Sequence, residues 1–150
     1  MIGIWQSYSN TYLYAAGVAM LATFGIPLLI VPLRWARFLR WEVPQPENLV
    51  VFLGRSLGIF ISLLAVFAFK VTSSPAAKPF FFDMMLWLFV AMIALHAYGA
   101  IRKTQPIIET IEILLWVVLF LITLDSLIFD VSRLISGAAL QPSVELDRQA

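Results

Sequence analysis

Gln105-Pro106-Ile107-Ile108-Glu109-Thr110-Ile111-Glu112-Ile113-Leu114-Leu115-Trp116 continues through Val117 to Leu124 without another charge. A bilayer core takes about 20 predominantly apolar residues to cross. The stretch therefore reads as a membrane span entered at Pro106, where a first helical turn tolerates the missing N–H. Its entry holds two carboxylates, Glu109 and Glu112, where a lipid-exposed helix would carry none.

The rest of the chain fits that reading. Of its 150 residues, 61% are hydrophobic and 13% charged, and the mean hydropathy is +0.92. Soluble domains are about half apolar and about a quarter charged, so lipid must solvate much of this surface. A net charge of +1 gives no case for nucleic-acid binding. With no Cys, disulfides, thiolate metal sites and Cys nucleophiles are excluded, and a single His excludes a bis-His haem within one chain. Met1 to Gln6 has no basic residue, and the apolar run that follows is too long for a signal sequence. It reads as a retained span.

Working outward from Pro106, the hydropathy predicts an all-α, four-span bundle forming a single integral membrane domain over 1–150. The spans are 12–33, 49–69, 80–101 and 106–124. Pro27 and Pro32 are expected to kink or end the first. Beyond Leu124, residues 125–137 read as a short helical extension with Leu127, Ile128, Val131, Leu134 and Ile135 on one face. Gly137 reads as its stop, and 141–150 as a flexible polar tail. Loops one and three share a side and carry Arg34, Arg37, Arg40, Arg102 and Lys103. Loop two carries Lys70 and Lys78. The positive-inside rule then places loops one and three in the cytoplasm and both termini outside, a bias that Arg133 and Arg148 weaken without reversing. Trp5, Tyr8, Tyr12, Phe80 to Phe82, Trp35, Trp41 and Tyr98 read as interfacial anchors.

Small residues recur every four positions in the second span, at Gly54, Gly58 and Ser62, and nearly so in the first, at Ala15, Ala19 and Ala22. Such stripes let membrane helices approach closely.

Three spans set ionisable groups at one depth. At about 1.5 Å per residue, Arg55 lies roughly 9 Å and His96 roughly 8 Å inside the same boundary. Glu109 and Glu112 lie about 4 to 9 Å inside it and share a helix face. Such groups are expensive in a bilayer, so they pair, snorkel or line water. Arg55 is expected to point into the bundle and hold one carboxylate through a two-pronged hydrogen bond. The second carboxylate would reach Arg102 or Lys103, take a proton, or bind a cation. No metal site is assigned, because the i, i+3 Glu–His spacing of helical carboxylate centres is missing. Trp116, about 15 Å into its span, reads as core packing or as the wall of a lipophilic pocket beneath the carboxylates.

Arg37 followed by Glu47-Asn48-Leu49-Val50-Val51-Phe52, together with His96-Ala97-Tyr98-Gly99, resembles the MAPEG family of four-helix membrane proteins. The resemblance implies a four-helix membrane fold and an enzyme acting on lipophilic substrates. Ile93 stands where that family carries an Arg three residues before the His, and Pro44 and Pro46 interrupt its Arg-x-x-x-Asn-x-x-Glu run. What the resemblance implies therefore stops short of glutathione chemistry. No cofactor is identified. The leading functional expectation is a non-catalytic subunit or scaffold that packs against other membrane helices or against itself. A small-solute or proton pathway through Arg55, His96, Glu109 and Glu112 comes second, and a MAPEG-like enzyme third.

Overall fold

The computed structural model describes residues 8–139, with side chains for 8–127; among these the chain is helical and has no strand. Residues 1–7 with Trp5, the 141–150 tail and the apolar face from Ile128 onward lie outside what is described. Among the described residues, four helices are long and apolar enough to cross a bilayer: Ser9–Ile30, Asn48–Thr72, Pro75–Arg102 and Ile107–Leu127. The all-α, four-span architecture is the one the chain adopts.

The first span comprises α1 (Ser9–Met20), a π-helical turn (Leu21–Gly25) and α2 (Ile26–Ile30). Pro27 has no N–H for the carbonyl one turn back, and the widened turn just before it accommodates that loss. The span ends at Ile30, short of the expected Leu33. Val31 (φ −130, ψ 52) leaves the helical region because the ring of Pro32 crowds the residue before it. α3 (Pro32–Phe38) restarts with Pro32 in its first turn.

α3 ends at Arg40 (φ 66), with Trp41 N–H donating to Ala36 O at 3.0 Å. α5 (Lys78–Arg102) ends likewise at Lys103 (φ 53), with Thr104 N–H donating to Gly99 O at 3.0 Å. Both are helix ends closed through a left-handed residue, and neither uses glycine. α4 covers Asn48–Thr72. α6 (Ile107–Ala139) passes through Gly137, which is therefore not its stop. A helical glycine costs only about 1 kcal/mol against alanine, and nothing else at Gly137 breaks the ladder.

Gly58 and Ser62 of the stripe pack against the first span, and Gly54 packs against Pro32 at the start of α3. A Cβ at Gly58 would sit 2.7 Å from Leu29 N and 2.9 Å from Gly25 O, and one at Gly54 would sit 2.8 Å from Pro32 Cβ. Ser62 Oγ donates back to Gly58 O at 2.7 Å. On the first span the matching positions are Gly17 and Gly25, both buried. The expected Ala15, Ala19 and Ala22 are exposed. Glycine lets the backbones come closer than alanine does, and the glycines set the contact face.

α5 and α6 form a second hairpin. α5 buries Phe82, Met85, Phe89, His96 and Gly99 at helical spacing. The two hairpins close over a core near loop two built from Leu13, Ala68, Val71, Phe81, Phe82, Met85 and Phe89. Phe81 and Phe82, expected at the lipid boundary, are 4% and 0% exposed, and Phe80 faces outward. A helix start that carries three consecutive aromatics must turn some of them inward. Tyr12 and Thr123 share a 2.7 Å hydroxyl hydrogen bond that ties α1 to α6. Outside, side chains such as Phe60, Phe67, Trp87 and Leu114 are exposed, as lipid contact requires.

Candidate functional site

At the end of the bundle away from that core, the first two turns of α6 face the last two turns of α5. Glu109 and Glu112 project from one side of α6 toward His96. His96 Nε2 lies 3.1 Å from Glu109 Oε2 and 3.8 Å from Glu112 Oε2. The three side chains are 6%, 14% and 16% exposed, so water screens them poorly.

The imidazole orientation is fixed. His96 Nδ1 is 2.7 Å from Met92 O. A carbonyl only accepts, so Nδ1 carries the hydrogen. Nε2 is then left to face two carboxylate oxygens. A lone pair opposed to two anionic acceptors is repulsive, so the arrangement calls for a hydrogen or a cation between them: a proton on Nε2, a protonated carboxyl donating to Nε2, or a metal ion.

A second layer holds these groups in place. Trp41 Nε1–H donates to Glu109 Oε1 at 2.7 Å. The left-handed turn at Arg40 brings that indole back toward α6. Gln105 Nε2 donates to His96 O at 3.0 Å and to Thr110 Oγ1 at 3.1 Å. Its carboxamide fills the space that a side chain at Gly99 would occupy. Trp116 stands on the core side, its ring centroid 5.9 Å from His96 and 6.0 Å from Phe89. Its Nε1 is buried with no hydrogen-bond partner among the described residues.

Of the groups expected together, His96, Glu109 and Glu112 meet, with Trp116 against them. Arg55 does not join. It is exposed and lines an open cavity with Arg34 and Arg37 at the Val31 break. No carboxylate pairs with it among the described residues. The Gly58 stripe docks on the first span, which carries the flank bearing Arg55 to that break and away from α6. Arg102 and Lys103 are also exposed and make no ion pair with either Glu among the described residues. His96 occupies the place the sequence reading gave to an arginine.

Trp41 and Gln105 were not anticipated as site residues. Loop topology does place Trp41 on the same side as Pro106, but its reach depends on a left-handed Arg40 that no turn-forming residue announces.

No family model, no curated protein and no solved structure matches the chain. The resemblance to the MAPEG family therefore rests on its short motifs.

An imidazole and two carboxylates form a donor set suited to Mn²⁺, Fe²⁺ or Zn²⁺. The three ligand atoms lie within 4.8 Å of one another. Ligands around such an ion stand about 3.4 Å apart, so small carboxylate rotations close the set. Each supporting contact, Nδ1–H to a backbone carbonyl and an indole N–H to the far carboxylate oxygen, is of the kind that orients metal ligands.

Proposed function

We propose that this membrane protein binds a divalent transition-metal ion through His96 Nε2, Glu109 and Glu112, where loops one and three meet. The observation that carries the reading is the fixed tautomer: Met92 O takes the Nδ1 hydrogen and leaves Nε2 aimed at two carboxylates. The 3.1 Å separation from Glu109 is also a hydrogen-bond distance, which favours, as a second reading, a proton held at the same place when no metal is bound.

The test uses the full-length protein in detergent, stripped with chelator and titrated with Zn²⁺ or Mn²⁺. One saturable equivalent is expected. At a free ion concentration 100 times Kd, linkage stabilises the fold by about 2.7 kcal/mol, which a thermal melt detects. His96→Ala and the Glu109→Gln/Glu112→Gln pair should lose both signals, and Asp83→Asn, at an exposed carboxylate elsewhere, should keep them. Absence of saturable binding, or binding undiminished in the variants, overturns the reading.

Packing against further membrane helices draws its support from the apolar outer surface, which lipid covers equally well. A MAPEG-like enzyme draws support from the 2.7 Å Arg37–Glu47 ion pair, which joins two residues of the shared motif; Ile93 counts against it.

The orientation proposed on the positive-inside rule puts loops one and three in the cytoplasm and both termini outside. A reporter fused after Ala150 is expected to be extracytoplasmic and one inserted in loop one cytoplasmic. The reverse labelling overturns that orientation.

A further inference from the structure

We propose that the break between α2 and α3 forms, with the start of α4, a site for the phosphate of an anionic phospholipid, separate from the His96 centre. Val31 leaves the helix, and the chain turns there over an open cavity of about 420 Å³ lined by Val31, Pro32, Arg34, Arg37, Val51 and Arg55. Three arginines therefore line one space, and the lining contains no acid. Arg37 spends part of its donor fork on Glu47 at 2.7 Å. Arg34 and Arg55 have no acceptor among the described residues, and both are exposed.

Depth makes this arrangement expensive unless it is answered. Arg55 lies seven positions into α4 from Asn48, roughly 10 Å along the helix. A charge at that level of a bilayer needs a partner, water or a headgroup within reach of its stem. A phosphate supplies acidic oxygens in the geometry that a guanidinium fork matches two at a time. Basic pockets between membrane helices are suited to lipid headgroups for this reason.

The surroundings select the source of the phosphate. Ile30 and Val31 in the cavity wall are exposed and apolar, and Phe38 and Phe52, the chain neighbours of the lining residues Arg37 and Val51, are 69% and 66% exposed. They provide a path for acyl chains on the lipid side of the guanidinium groups. A free phosphate ion gains nothing from that surface, whereas a phospholipid buries against it while its phosphate reaches Arg34 and Arg55.

The experiment titrates the full-length protein in detergent with short-chain phosphatidic acid, with phosphatidylcholine as the zwitterionic comparison. Arg34→Gln/Arg55→Gln is set beside Arg102→Gln/Lys103→Gln, which removes the same charge from the same end of the bundle. Loss of charge-assisted hydrogen bonds should weaken phosphatidic acid binding in the first pair by at least about tenfold; the second pair should bind as wild type does. If the first pair fails to fold, Arg34→Gln and Arg55→Gln are measured singly, and each should weaken binding. Equal loss in both pairs would reduce the effect to general charge and overturn the proposal. Unchanged affinity in the niche variants would do the same, as would equal binding of phosphatidylcholine or displacement by millimolar inorganic phosphate.

Discussion

Gly58→Leu should drive the protein out of its folded, monodisperse state in detergent. A single methyl at this position already meets main chain. The added Cβ would lie 2.7 Å from Leu29 N and 2.9 Å from Gly25 O, and neither can rotate away as a side-chain tip would. Relief requires the first and second spans to separate. Overpacking of this kind typically costs about 1–3 kcal/mol, and Gly58→Ala should fall in that range. Leucine adds a branched group to the same gap and should exceed it. Separation also removes the contacts at Gly54 and Ser62, since all three lie on one stripe, and membrane helices depend on such packing for their association. Leu63→Ala, at a site 49% exposed, should stay within about 0.5 kcal/mol, as surface changes usually do. Thermal unfolding of the variants in one detergent decides the matter. Equal midpoints for Gly58→Leu and Leu63→Ala would mean that the stripe does not hold the spans together.

The same stripe shows how far the sequence could be read. Spans were legible because runs of about 20 apolar residues have few other uses in a chain this poor in charge. That Gly54, Gly58 and Ser62 form a contact face was legible from their spacing. Which helix they touch was not, because periodicity describes one helix at a time. Arg55 was placed in the bundle by its nearness to that face, and once the face turns to the first span the arginine goes with it. Glu109, Glu112 and His96 were legible as one layer because each can be counted from the same boundary. Their mutual contact then followed from α5 and α6 being joined by a loop too short for anything but adjacency. Phe81 and Phe82 were misassigned because an aromatic cluster at a span end looks the same whether it faces lipid or core. Trp41 and Gln105 were missed because left-handed turns at Arg40 and Lys103 deliver them. A basic residue in that conformation leaves no mark in the sequence, where glycine or asparagine would.

His96→Leu should be among the most damaging substitutions in the spans. It leaves Glu109 and Glu112, 14% and 16% exposed, beside each other with no positive charge between them. Breaking a buried pair from one side costs about 3–5 kcal/mol, because the remaining charge stays out of water. Adding Glu109→Gln and Glu112→Gln should recover most of that loss. The carboxamides carry no charge, and the amide oxygen introduced by Glu109→Gln would still accept from Trp41 Nε1–H. Arg55→Leu should cost under about 1 kcal/mol in detergent free of anionic lipid, because no carboxylate loses its partner, in contrast to the breaking of a buried pair. It should also combine additively with the two Gln substitutions, since sites without a shared partner do not couple. The measurement is unfolding of the full-length variants in detergent with chelator present, so that bound metal does not enter the comparison. Metal added back should then stabilise wild type and Arg55→Leu alike and leave His96→Leu unmoved. A His96→Leu variant no weaker than Arg55→Leu, or one that the Gln pair does not repair, would show that His96 is not the counter-charge of the two carboxylates. The reading of a proton held between Nε2 and the carboxylates would fall with it, and the metal reading would fall if added metal stabilised His96→Leu as much as wild type.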